Sequence, residues 1–139
     1  MSLIYGDNFI GNNTISATGT FAALFRGNNK LVNAKDLILP SMSLTQDCYN
    51  TMFYSCTSLV TAPELPATTL VEGCYMQMFL QCTRLNYIKC LATDISASDC
   101  TYRWVSSVSS SGTFVKNPNM TGWTTGASGV PSGWTITDS

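Results

Sequence analysis

The residues of this 139-residue chain whose types and spacing could do chemistry are its cysteines. Cys48, Cys74 and Cys100 recur at an interval of 26 residues. Cys56 and Cys82 are also 26 residues apart, and Cys90 belongs to neither set. A thiolate can bind a metal, attack an electrophile or form a disulfide. Metal sites favour cysteines about two to four residues apart, whereas the tightest spacing here is eight residues. The spacing argues against a metal site, and no cofactor is expected.

Disulfides are the second possibility, because the number of cysteines is even and stacked copies of a repeat lie within disulfide Cα range. Side chains stacked in register point the same way, which leaves their Cβ atoms about 4.8 Å apart instead of the roughly 3.8 Å that a bridge prefers. A free thiol packs as a small hydrophobic group. The pattern predicts columns of buried free thiols. One or more disulfides, or a reactive cysteine, are the alternatives.

Histidine is absent, which excludes Ser-His-Asp and Cys-His nucleophile systems. Paired carboxylates can still hydrolyse glycosidic bonds. The acidic residues are Asp7, Asp36, Asp47, Glu64, Glu72, Asp94, Asp99 and Asp138. No spacing singles out a catalytic pair among them, and Asp47, Glu72 and Asp99, just before repeat cysteines, are predicted to cap helical turns. The chain is predicted not to be an enzyme.

Composition narrows the classes of partner. Only 11% of residues are charged, about half the usual share, so neutral hydroxyl and amide groups must cover the surface, as in many extracellular bacterial and phage proteins. The net charge is −1 without a basic patch, which argues against nucleic-acid binding. No apolar run approaches the roughly 18 to 20 residues of a membrane span, so no membrane insertion is expected. The N-terminal stretch MSLIYGDNFIGNN lacks the features of a secretory signal.

The elements that must position these side chains follow from an internal repeat. The stretch CYNTMFYSCTSL begins at Cys48 and CYMQMFLQCTRL begins at Cys74, and a fixed period of this size predicts a solenoid of stacked units. Each unit pairs a short extended piece, such as APELP, with a compact segment. In that segment Cys74, Met78 and Cys82 stand at i, i+4 and i+8, which predicts helical turns. The predicted fold class is α/β: a solenoid with a thin parallel sheet of short strands and short helical segments opposite.

Both ends of the predicted solenoid depart from the repeat and are expected to be irregular caps. The predicted domains are an N-terminal cap at 1–19, repeats of period about 26 at 20–111, and a C-terminal strand with a Trp/Gly-rich cap at 112–139. In that cap Trp123 and Trp134 are expected to cover the last repeat. The alternative is an aromatic platform for carbohydrate.

The repeat resembles the leucine-rich repeats of BspA-type surface proteins of gut anaerobic bacteria and their phages. The residues that carry the resemblance are Leu65-Pro66, Met52-Phe53 with Cys56 and Leu59, and Met78-Phe79 with Cys82 and Leu85. It covers roughly residues 20–136, although BspA-type repeats are usually a little shorter and form longer arrays. The resemblance implies a leucine-rich-repeat solenoid, an adhesion or protein-binding role, and an extracellular or cell-surface location.

The functional prediction is a non-enzymatic binding module that contacts a protein or glycan. Half-exposed tyrosines make good anchors because they offer contact area at little entropic cost, although they can equally line an outer wall. The candidate partner-binding residues are Tyr49, Tyr54, Tyr75, Tyr87, Lys89 and Glu64. One alternative is a structural or host-recognition component of a phage or surface fibre, with self-association through the solenoid ends. Another is a glycosidase that uses paired carboxylates.

Overall fold

A computed structural model describes residues 15–39 and 43–139 of the chain, so most of the predicted N-terminal cap lies outside the described residues. Its regular secondary structure is one sheet of three parallel strands in the order β1-β2-β3. The strands are β1 (Tyr87–Cys90), β2 (Thr113–Lys116) and β3 (Thr135–Asp138). Each follows the previous one after an intervening loop of the repeat, which is why the strands are parallel.

The sheet continues in the N-terminal direction as single residue pairs. Isolated parallel bridges join Asn33 to Thr61 and Thr61 to Tyr87, so β1 is the first full strand of a longer row of equivalent positions. Pro63 explains why the pairing at Thr61 stops after one bridge, since proline has no N–H to donate to a neighbouring strand. On the core side of this row the side chains of Ala34, Ala62, Ile88 and Phe114 are buried.

The predicted helical segments are wrong. The part of the chain that the structure describes contains no helix, and its sheet has only three strands, so the predicted fold class, a leucine-rich-repeat solenoid with helical segments, is contradicted. The residues concerned form overlapping β-turns instead. We call the stretches 19–27, 47–55, 73–81 and 99–107 the turn segments.

Backbone hydrogen bonds show how the turn segments differ from helices. In the second one, Asn50 N donates to Asp47 O (3.1 Å) and Met52 N to Tyr49 O (3.1 Å), three residues back. The amides that alternate with these bond to the next copy of the repeat, from Tyr49 N to Cys74 O (3.1 Å) and from Thr51 N to Met76 O (2.9 Å). An α-helix would send every amide to the carbonyl four residues back. Alternate amides therefore hold each turn and join one copy to the next.

The chain turns this tightly because every fourth residue of a turn segment has a positive φ. The second segment has φ of 56° at Asp47, 55° at Thr51 and 58° at Ser55. Glycine takes this conformation without strain, and the equivalent position of the third segment is Gly73. The resulting four-residue period places Cys74, Met78 and Cys82 on one side, which is the pattern that an amphipathic helix would also produce.

The adjacent alanines Ala22 and Ala23 test this backbone geometry, because both are exposed and only Ala23 has a positive φ (58°). A left-handed alanine costs about 1 to 2 kcal/mol, which exceeds the roughly 0.5 to 1 kcal/mol that glycine adds to the entropy of the unfolded chain. We expect Ala23→Gly to raise the free energy of unfolding by about 0.5 kcal/mol and Ala22→Gly to lower it by about as much. Urea denaturation measures both. Equal losses in the two variants would contradict the turn geometry.

Two columns of stacked aromatic rings fill the core between the turn segments and the sheet. In one, ring centroids lie 5.4 Å apart between Phe25 and Phe53 and 5.6 Å apart between Phe53 and Phe79. The other column consists of Phe21, Tyr49 and Tyr75. Rings one repeat apart can stack because the backbone hydrogen bonds between copies hold successive copies near the distance that offset aromatic pairs prefer.

Both columns end on Trp104. Its ring lies 6.1 Å from that of Tyr75 and 6.2 Å from that of Phe79, and Trp123 stacks on its other face at 5.6 Å with planes 7° apart. The indole N–H of Trp104 donates to Gly129 O (2.8 Å). The stretch from Trp123 to Gly129 therefore closes the core beside the last turn segment.

Trp134 packs separately. It is 7% exposed, and its indole N–H donates to Ser109 O (2.7 Å). An exposed carbohydrate platform made by Trp123 and Trp134 is therefore wrong, since one ring is buried and the other stacks on Trp104. Within residues 15–39 and 43–139 there is no helix of the length and apolarity needed to cross a membrane.

Candidate functional site

The cysteine side chains lie in the core. All six are buried and all are free thiols, which agrees with the predicted columns. Equivalent sulfurs make equivalent contacts: Cys56 Sγ donates to Phe25 O and Cys82 Sγ donates to Phe53 O, each at 3.0 Å. Each of these thiols therefore serves as a small packed group that also satisfies a carbonyl of the preceding copy.

Burial also suppresses the reactivity of these thiols. Desolvation raises the pKa of Cys48 to about 11 and the pKa values of Cys74, Cys82 and Cys90 to about 12. The nucleophile and the metal ligand is the thiolate, and the thiols are neutral at physiological pH. Among the described residues no group of three or more Cys, Asp or Glu side chains could hold a metal ion. The cysteines are structural.

Two of the tyrosines predicted to bind a partner are in the core as well. Tyr49 and Tyr75 are each 1% exposed and stack on each other with ring centroids 6.0 Å apart. The expectation of half-exposed rings is wrong for both, because their position in the repeat faces inward and is filled by Phe21 in the first copy. The buried hydroxyl of Tyr49 has no hydrogen-bond partner among the described residues. Neither ring is available to a partner.

Tyr54 lies on the turn side of the molecule and is half-buried. The guanidinium carbon of Arg26 lies 4.7 Å from the centre of its ring, which is a cation–π contact between the first and second copies. Nearby, Ser55 Oγ donates to Gln81 Oε1 (2.8 Å). These contacts link neighbouring copies, so Tyr54 already has a role within the fold.

The other three predicted residues come together on the opposite side, over the sheet. Lys89 Nζ lies 2.9 Å from Glu64 Oε2, and both side chains are partly exposed. The hydrogen bond that Lys89 donates to Glu64 and the negative charge of Glu64 raise the pKa of Lys89, and Tyr87 adds a smaller contribution. Tyr87 and Lys89 alternate with the buried Ile88 and Cys90 on β1, so both point away from the core.

Sequence reasoning missed the rest of this surface. The register places Thr113 beside Tyr87 and Val115 beside Lys89, and all four side chains are half-buried. We call these four residues, with Glu64, the sheet face. A second ion pair, from Lys116 Nζ to Asp138 Oδ1 at 2.6 Å, lies near the end of the sheet. Both pairs are within one chain and join neighbouring segments of the sheet, the second of them β2 and β3, and only the register could have revealed them.

The acids predicted to cap helical turns have other roles, because there is no helix to cap in the described chain. Asp47 and Asp99 occupy positive-φ positions, and Asp47 Oδ1 accepts a hydrogen bond from Asn50 Nδ2 (3.1 Å). Glu72 is exposed, and its carbonyl accepts the amide of Asp47 (3.0 Å).

A groove of about 340 Å³ contains one carboxylate, that of Asp94. Its Oδ1 accepts hydrogen bonds from Ser96 Oγ (2.7 Å) and Ser96 N (3.0 Å), and these bonds lower the pKa of Asp94. The general acid of a glycosidase needs a raised pKa. The lowered pKa of Asp94 is therefore the opposite of what a general acid requires.

No protein-family model matches the chain, and neither a curated protein nor a solved structure matches it. The likeness of its repeat to BspA-type proteins therefore stays a prediction from the sequence.

Proposed function

We propose that the protein is a non-catalytic binding module whose sheet face contacts a protein or glycan outside the cell. The observation that supports this most is the grouping of Tyr87, Lys89 and Glu64, which were predicted from the sequence to bind a partner and share one outward surface. Their neighbours Thr113 and Val115 add a hydroxyl and an apolar group.

The chemistry of the sheet face suits recognition. Tyr87 combines a ring that can stack against a sugar or an apolar side chain with a hydroxyl that can donate or accept. The ion pair of Lys89 and Glu64 supplies donors and acceptors side by side, and such charges affect specificity and the rate of association more than affinity. The parallel register to β2 holds these groups at fixed spacing, so little entropy is lost when a partner binds.

The proposed location outside the cell has separate support. The support is a largely neutral surface with few charged residues; the free thiols are compatible with that location because they are buried. Burial protects them from oxidants and from disulfide exchange, because both reactions require an accessible thiolate.

Binding to arrays of purified extracellular glycans and matrix proteins tests the proposal. For any immobilised ligand that the wild type binds, Tyr87→Ala combined with Lys89→Ala is expected to weaken binding at least about tenfold, which is about 1.4 kcal/mol. Tyr54→Ala is the matched control, since it removes a half-buried tyrosine from the turn side. It should leave the affinity unchanged.

Two outcomes would count against the proposal. If Tyr54→Ala weakens binding and the double variant does not, the binding surface lies on the turn side. Release of reducing sugar from a bound glycan would instead indicate the glycosidase alternative.

A further inference from the structure

Large hydrophobic side chains are exposed mainly at the two ends of the stack. Those exposed in the described chain are Leu24 (48%), Val32 (55%), Ile38 (60%), Tyr102 (47%) and Ile136 (46%). The first three belong to the first copy, and Ile136 lies on β3 at the opposite end. Exposed apolar groups gathered at one place commonly mark an interface, and here the ends of the repeat carry them.

The first copy also carries an apolar cavity of about 290 Å³. Its lining residues are Phe25, Leu31, Asn33, Ala34, Asp36 and Leu37. All of them come from the first copy, so the cavity borders the end of the stack rather than a junction between copies. It is large enough for a branched aliphatic side chain.

At the other end, the outer edge of β3 is open. Thr135 N donates to Gly112 O and Ser139 N donates to Lys116 O, each at 2.9 Å, toward β2. Alternate residues of a parallel strand bond to opposite neighbours, so the amides of Ile136 and Asp138 face away from β2. Within the described residues, no strand pairs with that edge. An open edge with an exposed isoleucine is a site for strand addition.

We propose that a second copy of this chain binds head to tail, with β3 of one molecule against residues 32–38 of the next. This inference goes beyond the proposed function, because it concerns the ends of the stack and not the sheet face. The pairing within one chain gives the register, since Asn33 pairs with Thr61 and Thr113 pairs with Thr135. In the proposed contact, Asn33 of the incoming molecule therefore lies next to Thr135. Ile136 then lies over the apolar cavity of the incoming copy.

Charge complementarity at the junction follows from the same register. Within one chain, Thr61 pairs with Tyr87. Glu64 lies three residues after Thr61, and Lys89 lies two residues after Tyr87. Glu64 and Lys89 form an ion pair at 2.9 Å. At the junction, Asp138 lies three residues after Thr135, and Lys35 of the incoming copy lies two after Asn33. The offset is not that of Glu64 and Lys89, where one extra residue lies between Thr61 and Leu65, and Asp138 also pairs with Lys116; at the junction Lys35 therefore adds a cation near the Lys116–Asp138 pair without repeating the first ion pair.

The overall charge distribution favours the same arrangement. Residues 15–39 carry three cationic side chains and one anionic side chain, a net charge of +2, while residues 43–139 carry four cationic and six anionic ones, a net charge of −2. Residues 15–39 of one molecule, its head, are therefore attracted to residues 43–139 of another molecule and repelled by the head of another molecule. A head-to-tail contact forms a closed ring only when the rotation between successive molecules returns to the starting molecule. Otherwise the product is an open chain of molecules.

Sedimentation velocity on the full chain tests the proposal from about 1 to 300 µM, the range of weak to moderate contacts. We expect the weight-average mass of the wild type to rise with concentration. Ile136→Lys, which blocks the tail, and Lys35→Asp, which blocks the head, should each weaken self-association at least about tenfold. Tyr102→Ser is the control, because it removes an exposed hydrophobic group from a turn segment, outside both β3 and residues 32–38, and it should leave the masses unchanged.

Mixing the two end-blocked variants gives the decisive result. Ile136→Lys keeps an intact head and Lys35→Asp keeps an intact tail, so an equimolar mixture should form dimers that neither variant forms alone. Dimer formation also shows that both variants are folded. A wild type that stays monomeric up to the highest concentration, end variants that associate like the wild type, or a mixture that stays monomeric would each overturn the proposal.

Discussion

Raising the pH from 8 to 10 is expected to lower the free energy of unfolding by about 5 kcal/mol, because four buried thiols ionise only when the chain unfolds. Cys48 has a pKa of about 11 in the folded protein, and Cys74, Cys82 and Cys90 have values of about 12, against an ordinary value of 9.0. At pH 10 an unfolded thiol is mostly ionised while the folded one remains protonated. Each such thiol therefore costs about 1.3 kcal/mol at that pH.

The sign follows from proton counting. Above pH 9 the unfolded chain binds fewer protons than the folded chain, so stability falls as the pH rises. The contribution of the thiols is fully present below about pH 9, decreases as the pH rises above the ordinary pKa of 9.0, and is lost completely once the pH exceeds the folded-state values of about 11 to 12. Since small domains are stable by about 5 to 15 kcal/mol, alkaline unfolding is expected near pH 10 to 11.

Urea denaturation at several pH values, in the presence of a reductant, measures this effect. The control is Cys82→Ala, which removes one buried thiol. It should be less stable at pH 7 because it leaves a small cavity, and its loss of stability between pH 8 and 10 should be smaller by about 1.3 kcal/mol. If the wild type and Cys82→Ala have the same pH dependence, the thiols are not the groups that titrate.

Trp104→Ala is expected to lower the free energy of unfolding by about 4 kcal/mol, the upper part of the range for large-to-small changes in a core. Trp104 is fully buried, ends both aromatic columns and stacks on Trp123. Its removal leaves a cavity at the point where the columns meet the C-terminal stretch. It also leaves Gly129 O without the indole donor (2.8 Å), which adds the cost of a buried carbonyl without a partner.

Denaturation of two variants separates the packing of Trp104 from its hydrogen bond. Trp104→Phe keeps a ring between the columns but lacks the N–H, so it should lose about half as much stability as Trp104→Ala. Tyr102→Ala, in the same turn segment but exposed, should change stability by less than about 0.5 kcal/mol. A loss of under about 2 kcal/mol in Trp104→Ala would show that the C-terminal stretch does not depend on this ring.

The candidate site illustrates how much the sequence could predict. It predicted that Tyr87, Lys89 and Glu64 bind a partner, and the fold brings these three side chains together. It could not separate them from Tyr49 and Tyr75, because in a turn with a four-residue period the side facing the core depends on φ values that composition does not encode. The Lys116–Asp138 pair was missed because its partners lie on different strands and meet only through the register.

By itself the sequence determined the 26-residue repeat and the burial of its cysteines, since a thiol column needs only equal spacing and an apolar environment. The tertiary structure decided that the repeat is made of overlapping turns instead of helices. The i, i+4, i+8 pattern of Cys74, Met78 and Cys82 fits both, and the choice depends on where each amide finds its acceptor. Here alternate amides, such as that of Tyr75 bonding to Cys100 O at 2.9 Å, bond to the neighbouring copy, an acceptor that exists only once the copies stack.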